Sequence, residues 1–203
     1  PQWLYGKTGY NWDSYKWYNK EDASIIKYRH ANWDDSMPTL QLEDDAANYK
    51  LGGKWRLPSA DEWRELRAGC SWKWTSFNGI SGYIVTGKKT GYTGNSIFLP
   101  AIGRRTATDL SEVGDSGVYW SCSLGDSESE MASDVIFSDV DFSLSTSDRY
   151  VGHSLRPVYV ERHNHHLERV EGVIPTETDS GWKDYYKCTE TVNPCGTYFC
   201  DSD

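Results

Sequence analysis

The strongest structural signal in this chain of 203 residues is the run GGKWRLPSADEW at residues 52–63. Its first half combines a large apolar anchor with glycines, which permit a tight turn, and a proline, which fixes the backbone angle φ. Its second half predicts a helix, because Ser59 is a good N-cap and Glu62 follows three residues later, as in a capping box. Trp63 then begins an apolar stripe at helical spacing. We therefore predict a helix over residues 59–70.

Three further phrases carry large apolar anchors: NSIFLPA at residues 95–101, YWSCS at 119–123 and GHSLRPV at 152–158, and the first and last of them add a glycine or a proline. In their order and spacing, the four phrases resemble the Fibrobacter succinogenes major paralogous domain, a family of largely surface and secreted proteins of Bacteroidetes. The resemblance runs from Gly6 to Val160. It implies an α+β domain of C-type-lectin-like or formylglycine-generating-enzyme-like fold, loop-rich, with short antiparallel strands and one or two helices.

Short strands are predicted where apolar and polar side chains alternate. The expected strands are residues 79–86, 97–99, 119–124, 133–137, 141–145 and 155–160. Residues 133–137 and 141–145 should form an antiparallel pair. The polar stretch 104–117 is predicted to be a loop that ends in a turn, and residues 42–47 a short helix.

A change of composition predicts a lectin-like domain at residues 1–160 and a linker with a small cysteine-containing appendage at residues 161–203. The chain has five cysteines, and the odd number prevents complete internal pairing. We expect two of Cys188, Cys195 and Cys200 to form a disulfide, because short loops of this kind are closed in oxidising compartments. Which two of them pair stays open at this point.

The formal net charge of −9 argues against a nucleic-acid partner and against binding to an anionic membrane surface. No apolar run approaches the roughly 18 residues of a membrane span, so no span is expected. The resemblance implies an extracellular or cell-surface location, in a bacterium or encoded by one of its phages. The expected partner is an unknown protein or glycan, no cofactor is expected, and the oligomeric state is open.

Catalytic chemistry finds little support in the sequence. The formylglycine-generating enzymes use two neighbouring cysteines near the end of the domain, whereas this domain offers only Cys70 and Cys122. No Ser-His-Asp or Cys-His signature is recognisable. Arg56 and Arg156 could bind an anion but are predicted to tie loop carbonyls together, and His153 is predicted to be packed. We therefore expect no enzymatic activity and no catalytic residue.

Metal sites are not expected either. The calcium-binding triplets of sugar-binding C-type lectins do not occur in this chain. Six acidic residues could bind Ca²⁺ through their carboxylates, but a solvated face is the expected state. These six are Asp126, Glu128, Glu130, Asp134, Asp139 and Asp141. His163, His165 and His166 could hold a transition metal, and we expect them to lie in a solvated linker.

Between Trp120 and Gly152 the apolar positions alternate with small or polar ones, so a rigid frame should display an interchangeable surface. Asp134, Ile136 and Ser138 should point away from Val135 and Phe137. The predicted ligand-binding surface comprises Ser123, Asp126, Ser127, Glu128, Glu130, Asp134, Ile136, Ser138, Asp139, Asp141, Ser143, Ser145, Ser147 and Asp148. An ordinary solvated surface would have the same composition.

Proteins of the resembled fold class are targets of diversity-generating retroelements, which randomise asparagine-type codons near the end of the lectin fold. The products include Ser, Asp, Tyr, His, Gly and Ile, and segment 119–158 fits this set and contains no Asn. The leading hypothesis is therefore a displayed or secreted ligand-binding protein diversified in that segment. The alternatives are a structural or adhesive module of a bacterial cell-surface assembly without a specific ligand, and a degenerate formylglycine-type enzyme.

Overall fold

This computed structural model describes residues 9–29, 38–125, 128–160, 167–171, 185–188 and 198–200. The chain divides into two compact units, Pro1–Val160 (unit 1) and Glu161–Asp203 (unit 2). Over the described ranges, no helix is both long enough and apolar enough to cross a bilayer.

The described part of unit 1 is rich in strands and holds few helices. Its helical elements are the 3₁₀ turns Trp12–Ser14 and Leu42–Asp44 and the α-helices α1 (Ala46–Leu51) and α2 (Ala60–Gly69). Its strands are β1 (Tyr18–Asn19), β2 (Ser24–Ile25), β3 (Trp55–Arg56), β4 (Cys70–Phe77), β5 (Ile80–Gly87), β6 (Ser96–Pro100), β7 (Ile102–Thr106), β8 (Asp109–Val113), β9 (Gly117–Leu124), β10 (Met131–Phe137), β11 (Phe142–Asp148) and β12 (Val158–Tyr159). The fold is therefore β-rich with two short α-helices.

The largest sheet has five strands in the order β11-β10-β9-β7-β8. Its neighbouring strands are antiparallel except β7 and β9, which run parallel where Gly103 stands opposite Gly117. A second sheet has the order β4-β5-β6, and two small sheets join β1 to β2 and β3 to β12. The predicted antiparallel pair is confirmed, since β10 and β11 align Val135 with Leu144.

Unit 2 contains a three-stranded antiparallel sheet of β13 (Leu167–Val170), β14 (Tyr185–Cys188) and β15 (Tyr198–Cys200). The disulfide predicted among Cys188, Cys195 and Cys200 involves side chains that lie outside the described part of the structure. In unit 1, Cys70 and Cys122 are free thiols.

The four sequence phrases come together as one hydrogen-bonded scaffold. The N–H of Cys122 donates to the carbonyl of Pro58 at 2.8 Å, which joins the third phrase to the first. The hydroxyl of Tyr119 donates to the carbonyl of Pro100 at 2.8 Å, which joins the third phrase to the second. Strand β3 from the first phrase pairs with β12, which begins at the end of the fourth. Motifs far apart in the chain therefore share one structural role.

Helix α2 begins with the predicted capping box. The Ser59 hydroxyl accepts from the Glu62 N–H at 3.1 Å, and the Glu62 carboxylate accepts from the Ser59 N–H at 2.7 Å. Arg56 donates twice to the same carboxylate, at 2.7 Å each, and once to the Leu57 carbonyl at 2.8 Å. These bonds from Arg56 lower the pKa of Glu62. Arg56 thus bonds a single loop carbonyl and otherwise joins the loop to α2 through Glu62, whereas the prediction was that it ties loop carbonyls together.

The main core packs one face of the five-stranded sheet against α2 and the β4-β5-β6 sheet. Its buried residues are Trp63, Val85, Leu99, Ala101, Tyr119, Val135 and Phe137. The ring of Phe137 stacks on Tyr119 at 5.7 Å and meets Tyr83 edge to face at 5.5 Å. Gly117 makes room for this ring, because a Cβ there would overlap it. A few large aromatic side chains thus fill a core between short strands.

The predicted short helix at residues 42–47 is divided by Asp45. This buried residue is the N-cap of α1, and its carboxylate accepts from two N–H groups of the first turn at 2.7 and 3.2 Å. The other oxygen accepts from the Leu57 N–H at 2.7 Å. One aspartate therefore ends the 3₁₀ turn, starts α1 and anchors the first phrase, which agrees with the preference of Asp for N-caps.

The predicted loop at residues 104–117 is wrong, because β7 and β8 form a hairpin there. Strand β8 is an edge strand whose residues are mostly exposed, and an edge strand without a buried face needs no alternation of apolar side chains. The last strand, predicted over residues 155–160, contains only Val158 and Tyr159. Pro157 precedes it and has no N–H to donate to a ladder.

Candidate functional site

The face of the five-stranded sheet opposite the main core carries Trp120 on β9 and Asp134 beside it on β10. Segment 9–29 packs against the residues that follow β11. The ring of Trp12 meets Tyr150 edge to face at 4.9 Å, and the Arg149 guanidinium donates to the carbonyl of Lys27 at 3.0 Å. These contacts hold the segment against the end of β11.

A pocket of about 140 Å³, which we call the aromatic pocket, lies between this segment, residues 39–57 and the sheet. Four aromatic side chains and several aliphatic ones line it, together with two charged residues, Asp44 and Arg149. The complete lining is Tyr15, Trp17, Tyr28, Thr39, Leu40, Asp44, Ala46, Leu57, Trp120, Ser121, Cys122, Ser123, Leu124, Ala132, Arg149 and Leu155.

The aromatic pocket has a buried floor and an exposed rim. Tyr28 and Leu57 are each 4% exposed, while Leu155 is 41% exposed and Thr39 is also exposed. A cavity of roughly 150 Å³ with apolar walls is large enough for one benzene-sized ring. The aromatic pocket therefore has room for a single ring or a side chain of similar size, entering from the rim.

The aromatic walls stand at right angles to one another. The Trp17 ring meets Tyr28 at 5.3 Å with an interplanar angle of 80°, and Tyr15 at 5.8 Å with an angle of 74°. Edge-to-face contacts are the favoured geometry of aromatic pairs. The walls thus stabilise each other before any ligand enters, and the pocket is formed in the free protein.

Asp44 is the acidic group of the pocket, and its oxygens already accept three hydrogen bonds. Lys16 Nζ donates at 3.0 Å, Lys27 Nζ at 2.5 Å and the Tyr28 hydroxyl at 2.7 Å. Burial by itself raises the pKa of Asp44, but the bonds from Lys27, Tyr28 and Lys16 outweigh it, and the pKa falls below its ordinary value. The carboxylate is therefore charged at neutral pH and serves as an anchor.

Arg149 is the basic group of the lining. Its guanidinium donates to the carbonyls of Lys27, Tyr28 and Met131, so the side chain joins β11 to segment 9–29. Burial raises the pKa of the neighbouring Tyr15, and the proximity of Arg149 only partly offsets this effect. Tyr15 is consequently an uncharged hydroxyl at neutral pH.

Cys122 brings a thiol to the pocket wall. It is 6% exposed, and burial raises the pKa of its thiol above the ordinary value. The reactive form of cysteine is the thiolate. At neutral pH the thiol is therefore protonated and behaves as a small apolar group.

Behind Trp120 lies a buried polar pair formed by Asp134 and His153. The ring of His153 stacks on Trp120 at 4.1 Å between centroids, and its Nδ1 lies 3.4 Å from Oδ2 of Asp134. The Ser147 hydroxyl donates to the same oxygen at 2.5 Å. Burial lowers the pKa of His153 to about 3 and raises that of Asp134. The histidine is packed, as predicted, and uncharged.

The expectation that Asp134 lies exposed is wrong, since its exposed fraction is 1%. Residues 152–154 run beside β7 and β9, with Gly152 opposite Arg105 and Ser154 opposite Tyr119. This path places His153 over the face that alternation assigns to solvent. Alternation places a side chain on a face, but what covers that face depends on distant segments.

The other predicted surface residues lie around the β10-β11 hairpin, and only Ser123 lines the aromatic pocket. Four are exposed: Glu128, Asp139, Asp141 and Ser145. Seven are half-buried: Ser123, Glu130, Ile136, Ser138, Ser143, Ser147 and Asp148. Asp126 and Ser127 lie outside the described residues. The register places Ile136 beside Ser143, so part of the predicted surface is continuous.

The described residues do not include three His, Cys, Asp or Glu side chains close enough to share a metal ion. Of the six acidic residues considered for Ca²⁺, Asp126 falls outside the described part, and Asp134 is buried with Ser147 and His153. His163, His165 and His166 also lie outside the described residues.

Sequence reasoning missed most of the pocket, including Tyr15, Trp17, Tyr28 and Arg149. A usable signal was the density of aromatic residues in the first 33 positions, where four tryptophans occur among tyrosines and lysines. Aromatic side chains in a segment with few aliphatic residues need a surface to pack on. The sequence does not show which surface that is.

Comparison with protein-family models, with curated proteins and with solved structures found no match to this chain.

Proposed function

We propose that this protein is a non-enzymatic binding protein whose aromatic pocket accepts one ring-sized group of its ligand. The main support for this proposal is the pocket itself, which has a buried floor, an exposed rim and aromatic walls that pack against each other. Pre-formed, mostly apolar concavities with a few polar groups are the usual form of ligand sites. A volume of about 140 Å³ suits an anchoring group better than a whole large ligand.

The chemistry of the pocket favours binding over catalysis. Asp44 has a lowered pKa and three donors on its oxygens, so it is a poor proton acceptor. The Cys122 thiol has a raised pKa and is a poor nucleophile. The groups that could begin a reaction are thus held in their unreactive forms.

The wider setting of this proposal is the resemblance carried by the four phrases. A C-type-lectin-like or formylglycine-generating-enzyme-like fold agrees with a β-rich unit and with the hydrogen bonds that join the phrases. We propose on the same basis that the protein is displayed on a cell surface or secreted, and that the ligand is a group on another macromolecule.

Binding is tested with benzyl alcohol as a neutral ring probe, followed by chemical-shift changes in ¹H–¹⁵N spectra of the full chain. We expect saturable binding in the millimolar range, with the largest changes at Trp17, Trp120 and Leu155. The variant Thr39→Trp should abolish binding by filling the rim. The matched control is Thr108→Trp, at an exposed position in the turn between β7 and β8, which should bind as the parent does. Absence of saturable binding to the folded parent protein would refute the proposal.

A second candidate site is the polar surface of the β10-β11 hairpin. Its support is the exposure of Asp139, Asp141 and Ser145 on and beside edge strand β11, which agrees with a surface diversified by a retroelement. Nucleotide sequencing around the codons for residues 119–158 tests it. A nearby near-identical repeat that differs at adenines, together with a reverse transcriptase gene, is the expected result. Without such a repeat, a fixed structural or adhesive module becomes the better explanation of this surface.

A further inference from the structure

The charges beside the aromatic pocket contrast with those of the whole chain. The chain carries a formal charge of −9, but two ammonium groups, Lys16 and Lys27, converge on the single carboxylate of Asp44. A second carboxylate, Glu43, lies 3.9 Å from Lys27 and is 72% exposed. Arg149, which also lines the pocket, donates to the backbone carbonyls of Lys27 and Met131.

At the edge of the aromatic pocket, Lys16 and Asp44 offer an incoming ligand hydrogen-bond donors rather than acceptors. Asp44 already accepts from Lys16, Lys27 and Tyr28, which leaves little capacity to receive a donor from a ligand. Lys16 has three N–H donors and uses one of them on Asp44. Its side chain is half exposed. An incoming anionic group therefore finds a donor at the edge of the pocket, whereas an incoming cation finds its natural partner occupied.

Lys16 is close enough to serve the pocket. Its ammonium lies 3.0 Å from Oδ1 of the lining residue Asp44 and 4.5 Å from the ring centroid of the lining residue Trp17. A lysine ammonium on a flexible stem can turn from one acceptor to another at low cost. A ring seated among Tyr15, Trp17 and Tyr28 would thus bring an acidic substituent within its reach.

The walls also discriminate between kinds of ring. Several polar side-chain groups of the lining are engaged within the protein, since Ser121 donates to the Ser133 carbonyl at 2.7 Å and the Ser123 hydroxyl accepts from the Ala60 N–H at 3.1 Å. The hydroxyls of a sugar ring would find few partners there, and burying unpaired polar groups is costly. A flat apolar ring leaves no polar group of its own unpaired on entry and gains contact with the aromatic walls.

We propose that the aromatic pocket takes an aromatic ring that carries an anionic substituent, such as the ring of an aromatic carboxylic acid. The inference rests on the binding function proposed above and adds the chemical class of the ligand. The ring lies among Tyr15, Trp17, Tyr28 and Trp120, and the anionic group pairs with Lys16 at the edge.

The experiment measures dissociation constants of four probes for the full chain at low salt by chemical-shift titration: benzoate, benzyl alcohol, benzylamine and glucuronate. We expect benzoate to bind about threefold to fivefold more tightly than benzyl alcohol, and benzylamine more weakly than both. The advantage of benzoate should disappear in about 0.5 M salt, because salt screens an exposed ion pair.

The variant Lys16→Gln should remove the advantage of benzoate, measured as the ratio of the dissociation constants of benzyl alcohol and benzoate for the same variant. The matched control is Lys20→Gln, which removes the same charge from a lysine whose partner, Asp13, is largely exposed. This control should keep the preference. A preference that survives Lys16→Gln, or that both variants lose equally, would overturn the assignment of Lys16.

The remaining outcomes separate this inference from the function on which it rests. Equal affinities for benzoate and benzyl alcohol would overturn the anionic class and leave ring binding in place. Tightest binding of benzylamine would overturn it in favour of cations, and tightest binding of glucuronate in favour of acidic sugars. If none of the four probes binds the folded protein, both the ligand class and the proposed function fail.

Discussion

On one face of the five-stranded sheet, Val135 and Phe137 pack against Tyr119 in an apolar core, while on the other face Asp134 lies beside Trp120 and His153. Asp134 is as deeply buried as Val135 and Phe137, but only the first face is closely packed with apolar groups. On the second, Oδ1 of Asp134 and both ring nitrogens of His153 are buried without a hydrogen-bond partner among the described residues. Such groups cost stability. The first face therefore stabilises the fold, whereas the second supports the pocket through Trp120.

The largest effect is expected on the core face, from Phe137→Ala. Removing a buried aromatic ring should lower the free energy of unfolding by about 3–5 kcal/mol, as measured by urea denaturation. Phe77→Ala is the control, because Phe77 is 55% exposed at the end of β4, and it should cost about 1 kcal/mol or less. Equal losses in the two variants would show that the described core is not the stabilising one.

The second prediction, for Gly117→Ala, tests how closely the side chains of the core face are packed. In Gly117→Ala the new Cβ overlaps the ring of Phe137, so we expect a loss of about 1–3 kcal/mol in the free energy of unfolding. Gly69→Ala is the control, since nothing lies within 4 Å of a Cβ there. The cost of Gly117→Ala should largely vanish in a Phe137→Ala background. An unchanged cost in that background would contradict the proposed overlap.

The third prediction concerns the pH dependence of stability on the polar face. The folded protein holds His153 neutral down to about pH 3, whereas an unfolded histidine binds a proton below about pH 6.5. The unfolded state therefore binds more protons between these values, and the free energy of unfolding should fall as the pH is lowered from about 6.5, by up to about 1.4 kcal/mol per unit.

His153→Gln should remove this contribution, so the difference between parent and variant stability curves isolates it from the other histidines. Asp134 has the opposite effect on the pH dependence of stability. Because its pKa is raised in the folded state, the folded protein binds a proton at Asp134 at a higher pH than the unfolded chain does. Arg104 also faces His153 and keeps its pKa low. Parallel stability curves from pH 7 to pH 4 would disprove the buried, neutral state of His153.

The smallest effect is expected from Ser147→Ala, which removes the hydroxyl that donates to Asp134. The loss in the free energy of unfolding should be about 1 kcal/mol, the usual value for one buried hydrogen bond. Ser145→Ala, at an exposed position of the same strand, should change stability by less than about 0.5 kcal/mol. If Ser145→Ala lowers the free energy of unfolding more than Ser147→Ala does, the hydrogen bond from Ser147 to Asp134 does not stabilise the fold.

Local features were predictable because their causes are local. The capping box of α2 needs only Ser59 and Glu62, which are three residues apart, and the β10-β11 pair needs only two neighbouring alternating runs. The aromatic pocket is different, because it joins segments near residues 15–28, 39–57, 120–132 and 149–155. No local pattern states that Arg149 reaches the carbonyl of Lys27, 122 residues away.

The sequence by itself determined the helix at GGKWRLPSADEW, the alternation of β10 and β11, and the acidic character of the chain. These follow from side-chain chemistry acting over a few residues. Only the tertiary structure decided that Asp134 is buried, that β7 and β8 form a hairpin, and that an aromatic pocket exists. Those features arise from contacts between distant segments, whose geometry depends on the packing of the whole unit.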